Sequence, residues 1–174
     1  MVNSTTVLLQ KPFFMNLKIA VYNMEWMRDL FEPDGSPKTT GKDGKRSRQL
    51  AAVVKALQVD FLGVVEGPDT LVSGAKTTSG QLISWANEFI PGHTYSAVHG
   101  FPSSGQQELG VLFDHAKIKV LFTPETRDGE RFNEPFLMDT TNRMIKEQYR
   151  HYRPPLELSI LGLDEQLLSR VIIA

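Results

Sequence analysis

Three side chains in the first 70 residues could do chemistry with oxygen donors. Asn23 and Glu25 stand two apart in "KIAVYNMEW", and Glu66 ends "DFLGVVE". Each lies at or just past the C-terminal tip of a short apolar run. Residues i and i+2 of a strand point to the same side, so Asn23 and Glu25 share a face if extension persists that far. If the two runs are adjacent parallel strands, Glu25 and Glu66 emerge at one edge of a sheet, where open α/β folds form binding crevices. Two carboxylates and an amide around a wet pocket are hard oxygen ligands, suited to Mg²⁺ or Mn²⁺ with several retained waters. Without a cation, two converging acids repel and one tends to protonate. Solvated acids where strands meet loops would give the same pattern. Spacing alone leaves both readings open.

The elements that must position these residues follow from periodicity. The first strand spans about residues 18–22, and the Gly-, Pro- and charge-rich stretch 28–47 reads as a mobile surface loop. Leu50, Val53, Val54 and Leu57 recur at helical spacing and predict a helix over 48–58 with Ser47 as N-cap. "DFLGVVE" then returns as a strand buried on both faces. Strand, helix, strand implies a neighbouring pair in a helix-covered sheet. A second helix is expected over 80–90, capped by Ser79, with Leu82, Ile83, Trp85, Ala86 and Phe89 on its apolar side. Short strands follow at "TYSAVH", "ELGVLFD" and "KIKVLF", with turns at 101–105 and 114–116. The last stretch reads as two strands joined near 162–166.

Composition sets the outer limits. The chain has 174 residues, 41% hydrophobic and 22% charged, with a formal net charge of -1, as expected of one globular domain. It has no cysteine, which excludes disulfides, thiolate metal sites and a Cys nucleophile. No apolar run approaches the roughly 18 residues that cross a bilayer, so no membrane partner is expected. The N-terminus lacks a signal-peptide pattern, and a cytoplasmic location is the expectation. Residues 1–14 read as an extension preceding a domain over 15–174.

Four segments resemble the endonuclease/exonuclease/phosphatase superfamily, in order and in spacing: "KIAVYNMEWM", "DFLGVVEGPD", "GQQELGVLFD" and "YRPPLELSI". That family is similar to deoxyribonuclease I and the apurinic endonucleases, and includes sphingomyelinases and inositol polyphosphate phosphatases. Asn23 and Glu25 match its first motif and Glu66 its metal-binding Glu. Val65 stands where the family normally has Gln. Arg153, Pro154 and Pro155 match its Arg-Pro-Pro segment. The resemblance implies an α/β fold, part of a two-sheet β-sandwich flanked by helices in four layers. It implies a metal-dependent phosphoesterase in which Glu66, helped by Glu25, holds Mg²⁺ or Mn²⁺. Asn23 would hydrogen-bond the phosphate or orient a carboxylate, and Arg153 would offer donors to a phosphate. The first expectation for the substrate is a phosphodiester, with nucleic acid as the candidate partner. A small-molecule or lipid phosphatase is the alternative within the family, and a non-catalytic phosphate- or nucleic-acid-binding remnant the alternative outside it.

The family's later motifs are a His on a strand, an Asp-x-Asn and a closing Ser-Asp-His. None follows "RPPLELSI" here, and the chain stops at "RVIIA" in what reads as mid-strand. The expectation is a C-terminally truncated domain that holds the metal half of a site without its acid–base half. Alone it would be inactive, and its cut sheet would aggregate or pair with another chain. Other candidates are weaker. His93, His99, His115 and His151 have no helical metal-ligand spacing and read as surface or loop residues, His151 alone meriting inspection for its closeness to Arg153. Lys38, Lys42, Lys45, Arg46 and Arg48 could touch a nucleic-acid backbone or simply solvate a loop. Their Gly-Lys pairs lack phosphate-loop order. Ser103, Ser104 and Gly105 read as a turn, and Trp26 and Trp85 as packing residues.

Overall fold

The computed structural model describes residues 16–68, 77–100, 108–122, 126–127, 130–131 and 156–173. Among these the chain is α/β, with a four-stranded and a three-stranded sheet and two helices. Strand β1 (Ile19–Asn23) leads through a 3₁₀ turn (Met27–Leu30) to helix α1 (Gly41–Leu57) and strand β2 (Phe61–Gly67). Helix α2 (Thr78–Phe89) and strands β3 (Tyr95–His99), β4 (Glu108–Asp114) and β5 (Ile118–Leu121) follow. A two-residue ladder joins β6 (Thr126–Arg127) to β7 (Glu130–Arg131), and β8 (Leu156–Gly162) pairs with β9 (Leu167–Ile173).

The larger sheet has the order β1-β2-β4-β3. Strands β1 and β2 are parallel neighbours, with Ile19 opposite Phe61 and Asn23 opposite Val65. Strand β4 runs antiparallel to both β2 and β3. The smaller sheet, β5-β8-β9, is antiparallel throughout. Strand alternation sorts side chains into two apolar clusters. Leu62, Val64 and Leu112 face α1 and α2, where Val54, Leu82, Trp85 and Ala86 meet them. Phe61, Leu109, Val111 and Phe113 pack with Ile118, Val120, Leu156, Leu158, Ile160 and Ile173, so both sheets contribute to the second cluster. Gly63 lets this contact close: a Cβ there would lie 2.7 Å from Ile173 Cδ1 and 3.2 Å from Val21 Cγ2.

Several sequence expectations need correction. Helix α1 begins at Gly41 behind Thr40, seven residues before the expected start, and Ser47 is a buried residue inside it rather than its cap. Two early glycines, poor helix formers, hid that start. Gly44 is required by packing, since a Cβ there would lie 2.3 Å from the Thr39 carbonyl carbon. Val53 and Leu57 are 40% and 42% exposed, because the buried side runs through Gly44, Ser47, Leu50, Ala51 and Val54 instead. The stretch 28–47 is structured: it contains the 3₁₀ turn, a Phe31–Pro37 bridge and the first turns of α1. Helix α2 is capped by Thr77, whose side-chain oxygen accepts from the Gly80 amide, rather than by Ser79. The N-terminal extension, the 101–105 turn with Ser103, Ser104 and Gly105, His151 and the Arg-Pro-Pro segment lie outside the described residues.

Candidate functional site

The site lies at the C-terminal tips of β1 and β2, which the parallel pairing carries to one edge. Strand β2 does not reach that edge as a regular strand. Val64 pairs with Gly110 and Gly67 with Glu108, so Val65 and Glu66 together oppose Leu109 in a bulge. Glu66 takes a left-handed backbone, φ 59°. An unbulged strand would point it to the helix side, with Leu62 and Val64. The extra residue re-aims its carboxylate sideways, across the tip of β1.

There the carboxylate is held on both oxygens. Oε1 accepts from Asn23 Nδ2 at 3.3 Å, and Oε2 from the Trp26 amide at 3.0 Å. The Asn23 side-chain oxygen in turn accepts from the Glu25 amide at 2.8 Å. Asn23 therefore links the start of the loop to Glu66. Two further bonds fix the loop: the Met24 amide donates to the Val65 carbonyl, and Arg46 of α1 donates to the Met24 carbonyl, both at 2.9 Å. Beneath it, Met24, Met27 and Leu30 are fully buried.

The expectation that Asn23 and Glu25 share a strand face is overturned. Extension ends at Asn23, and Glu25 and Trp26 follow with φ of 48° and 55°. Glu25 joins the site through its backbone N–H, and its residue is exposed. Asn23 and Glu66 are brought together as expected. Arg153 lies outside the described residues. Among the described residues no group of three or more His, Asp or Glu is arranged around a common metal position.

Sequence reasoning missed three participants. Arg46, read as part of a solvated loop, is a tie to the site's backbone. Trp26, read as a packing residue, is 45% exposed, with the Arg28 guanidinium carbon 5.0 Å from its ring centroid. Trp85 is buried as expected. Glu108 is fully buried where β4 pairs with Gly67, and its carboxylate accepts from the Thr78 hydroxyl. An acid opening an apolar strand was the available signal, since an antiparallel neighbour brings its N-terminal end to the tip of β2. His99 lies on β3, as the "TYSAVH" strand reading expects, with Nδ1 3.1 Å from Ser79 Oγ. Of the basic residues, Lys38 pairs with Asp43 at 3.1 Å and Arg48 donates to the Thr39 carbonyl at 2.8 Å. They staple the approach to α1.

No protein-family model matches the chain, and no match is found among curated proteins. Among the described residues, no helix is long and apolar enough to cross a membrane.

Proposed function

We propose that the chain is a divalent-metal-dependent phosphoesterase domain of the endonuclease/exonuclease/phosphatase type, with a phosphodiester as its first substrate class. In that reading the two sheets form the inner layers of a four-layer sandwich, and α1 and α2 belong to the outer ones. The observation that carries the reading is backbone strain gathered at one point. Five non-glycine residues among the described ones have positive φ: Glu25, Trp26, Gln58, Glu66 and Glu165. Gln58 caps a helix, and Glu165 lies in the connection between β8 and β9. Of the other three, Glu66 bears the carboxylate, Trp26 donates its amide to it, and Glu25 donates its amide to Asn23, which bonds to it. Each left-handed non-glycine residue costs about 1–3 kcal/mol, and such cost gathers where geometry serves binding or chemistry.

The donor set fits a hard cation. Glu66 would hold Mg²⁺ or Mn²⁺ with retained waters filling the shell, and Glu25, held in the loop by its backbone N–H, would add its exposed carboxylate. When bound, the cation neutralises charge that develops on the phosphoryl group and the leaving oxygen. The chain's own residues do the positioning. Asn23 fixes the Glu66 carboxylate with one amide N–H, and its second N–H is the donor a phosphate oxygen would accept from. Arg46 holds the loop against α1.

Mn²⁺ titration followed by electron paramagnetic resonance tests the site without requiring turnover. Glu66→Gln should weaken binding at least tenfold, and equal affinity in wild type and variant overturns the reading. Mg²⁺-dependent cleavage of bis(4-nitrophenyl) phosphate, lost in the same variant, supports the enzyme. Cation binding with no cleavage favours the non-catalytic phosphate-binding remnant.

A further inference from the structure

Four large apolar side chains lie between the end of β1 and the end of the 3₁₀ turn: Met24, Trp26, Met27 and Leu30. Three are fully buried, and the largest, Trp26, is left 45% exposed. An indole has more apolar area to gain from burial than its neighbours, so core packing does not explain this arrangement. The left-handed backbone at Glu25 and Trp26 interrupts the inward run and turns the indole outward. The amide of the same residue donates to Glu66 Oε2 at 3.0 Å. The backbone that carries the exposed ring is thus tied to the residue that the proposed phosphoester site is built on. The Arg28 guanidinium lies over one face of the ring, its carbon 5.0 Å from the centroid, and pairs with Asp29 at 3.4 Å, so the opposite face is the one a base would stack on.

We propose that Trp26 is a base-stacking platform, and that the substrate of the Asn23–Glu66 site is a single-stranded nucleic acid whose base beside the reactive phosphate stacks on the indole. This rests on the phosphoesterase reading for the phosphate and adds the substrate class. A nucleobase offers a flat π-face that an exposed, geometrically fixed indole recognises, and such stacking tolerates any base. Inositol phosphates and phospholipid headgroups have no such face. A base within a duplex is already stacked on both sides, so the platform selects unpaired strands. Arg28 supplies charge for the backbone and extends the stacking surface.

The test reads the base and not the metal, so its failure is separable from failure of the phosphoesterase reading. Binding of the full chain to a fluorescein-labelled oligo-dT and to an oligomer of the same length made of abasic sites is measured by anisotropy in EDTA. Oligo-rU provides the RNA arm. Trp26→Ala should weaken oligo-dT or oligo-rU binding about 5- to 150-fold, the range of one base–aromatic stack. The abasic oligomer should be unaffected, and Trp26→Phe should keep most of the affinity. Because Trp85 is fully buried, oligo-dT should quench the exposed indole emission, and Trp26→Phe should abolish that quenching. Equal losses on base-bearing and abasic oligomers, or no loss on either, overturn the proposal. So does binding to phosphatidylserine vesicles that is lost in Trp26→Ala while oligomer binding is not, since that outcome makes the indole a membrane contact.

Discussion

Asn23→Asp puts the geometry of the site to a direct test, because it changes charge without changing shape. Asn23 Nδ2 lies 3.3 Å from Glu66 Oε1, and the replacement puts a second carboxylate oxygen at that distance. Two unit charges 3.3 Å apart repel by about 1.3 kcal/mol at the dielectric constant of water and by about 5 kcal/mol at an effective value of 20. The site is solvent-exposed, so the lower figure is the closer guide. Loss of the Asn23–Glu66 hydrogen bond adds about 0.5–1 kcal/mol, while the bond from the Glu25 amide survives because the Oδ1 acceptor is kept. The sum is about 2 kcal/mol, which lowers the melting temperature of a domain this size by about 4–8 °C. A divalent cation reverses the sign, since it binds both acids and the variant offers it one more negative charge. Melting followed by circular dichroism, with EDTA and then with millimolar Mg²⁺, gives both numbers. The variant should melt lower in EDTA and gain more from Mg²⁺ than the wild type, and the EDTA gap should narrow at low pH, where the charge repulsion is removed. Identical melting in EDTA would show that Asn23 and Glu66 do not face each other. A gap that Mg²⁺ fails to narrow would count against a cation at this edge.

Two further outcomes concern the scaffold. Buried Asp60, at the other end of β2, accepts from Lys117 Nζ at 2.5 Å and from the Lys18 amide at 2.9 Å. Burial alone would raise its pKa, but the bonds from Lys117 and the Lys18 amide outweigh it and hold the carboxyl below its usual 3.8. A depressed folded pKa contributes stability that is complete above the unfolded value and is lost as pH falls through the folded one. Lys117→Met should therefore cost about 1–2 kcal/mol at pH 7, toward the low end for a charged hydrogen bond because Lys117 is half exposed. Urea midpoints for the two proteins should converge as pH drops below 3.8, and a constant gap would refute the pairing. Gly44→Ala should lower the melting temperature by about 4–8 °C, an overpacking cost of about 2 kcal/mol after the helix-propensity gain is offset. The new Cβ would meet the Thr39 backbone at 2.3 Å, and a rise in melting temperature would show that this contact yields.

Much of the scaffold was legible from residue pattern. The apolar runs at β1, β2, β4 and β5 and the Leu82–Trp85–Ala86–Phe89 stripe of α2 are strong periodic signals, and all five elements form where expected. The parallel pairing of β1 and β2 was legible too, because a helix between two apolar runs leaves few other arrangements. Boundaries were less so. Helix α1 starts early because Gly44 is selected by a close backbone contact and not by propensity, and a contact with Thr39 leaves no periodic trace. Trp26 was misread for a related reason: composition says that an indole packs, while the backbone at Glu25 and Trp26 turns it away.

Residue order alone placed an amide and two acids at or just past the ends of two apolar runs, and implied that those runs are neighbouring strands. Only the tertiary structure decided which of them meet. A bulge in β2 and a left-handed turn after β1 send the Glu66 carboxylate to Asn23 and the Trp26 amide, and leave Glu25 to contribute its backbone N–H. Strand alternation is a local rule that sequence carries. A bulge breaks that rule through one extra residue whose cost is met by packing and hydrogen bonds from distant segments, and no local pattern records them.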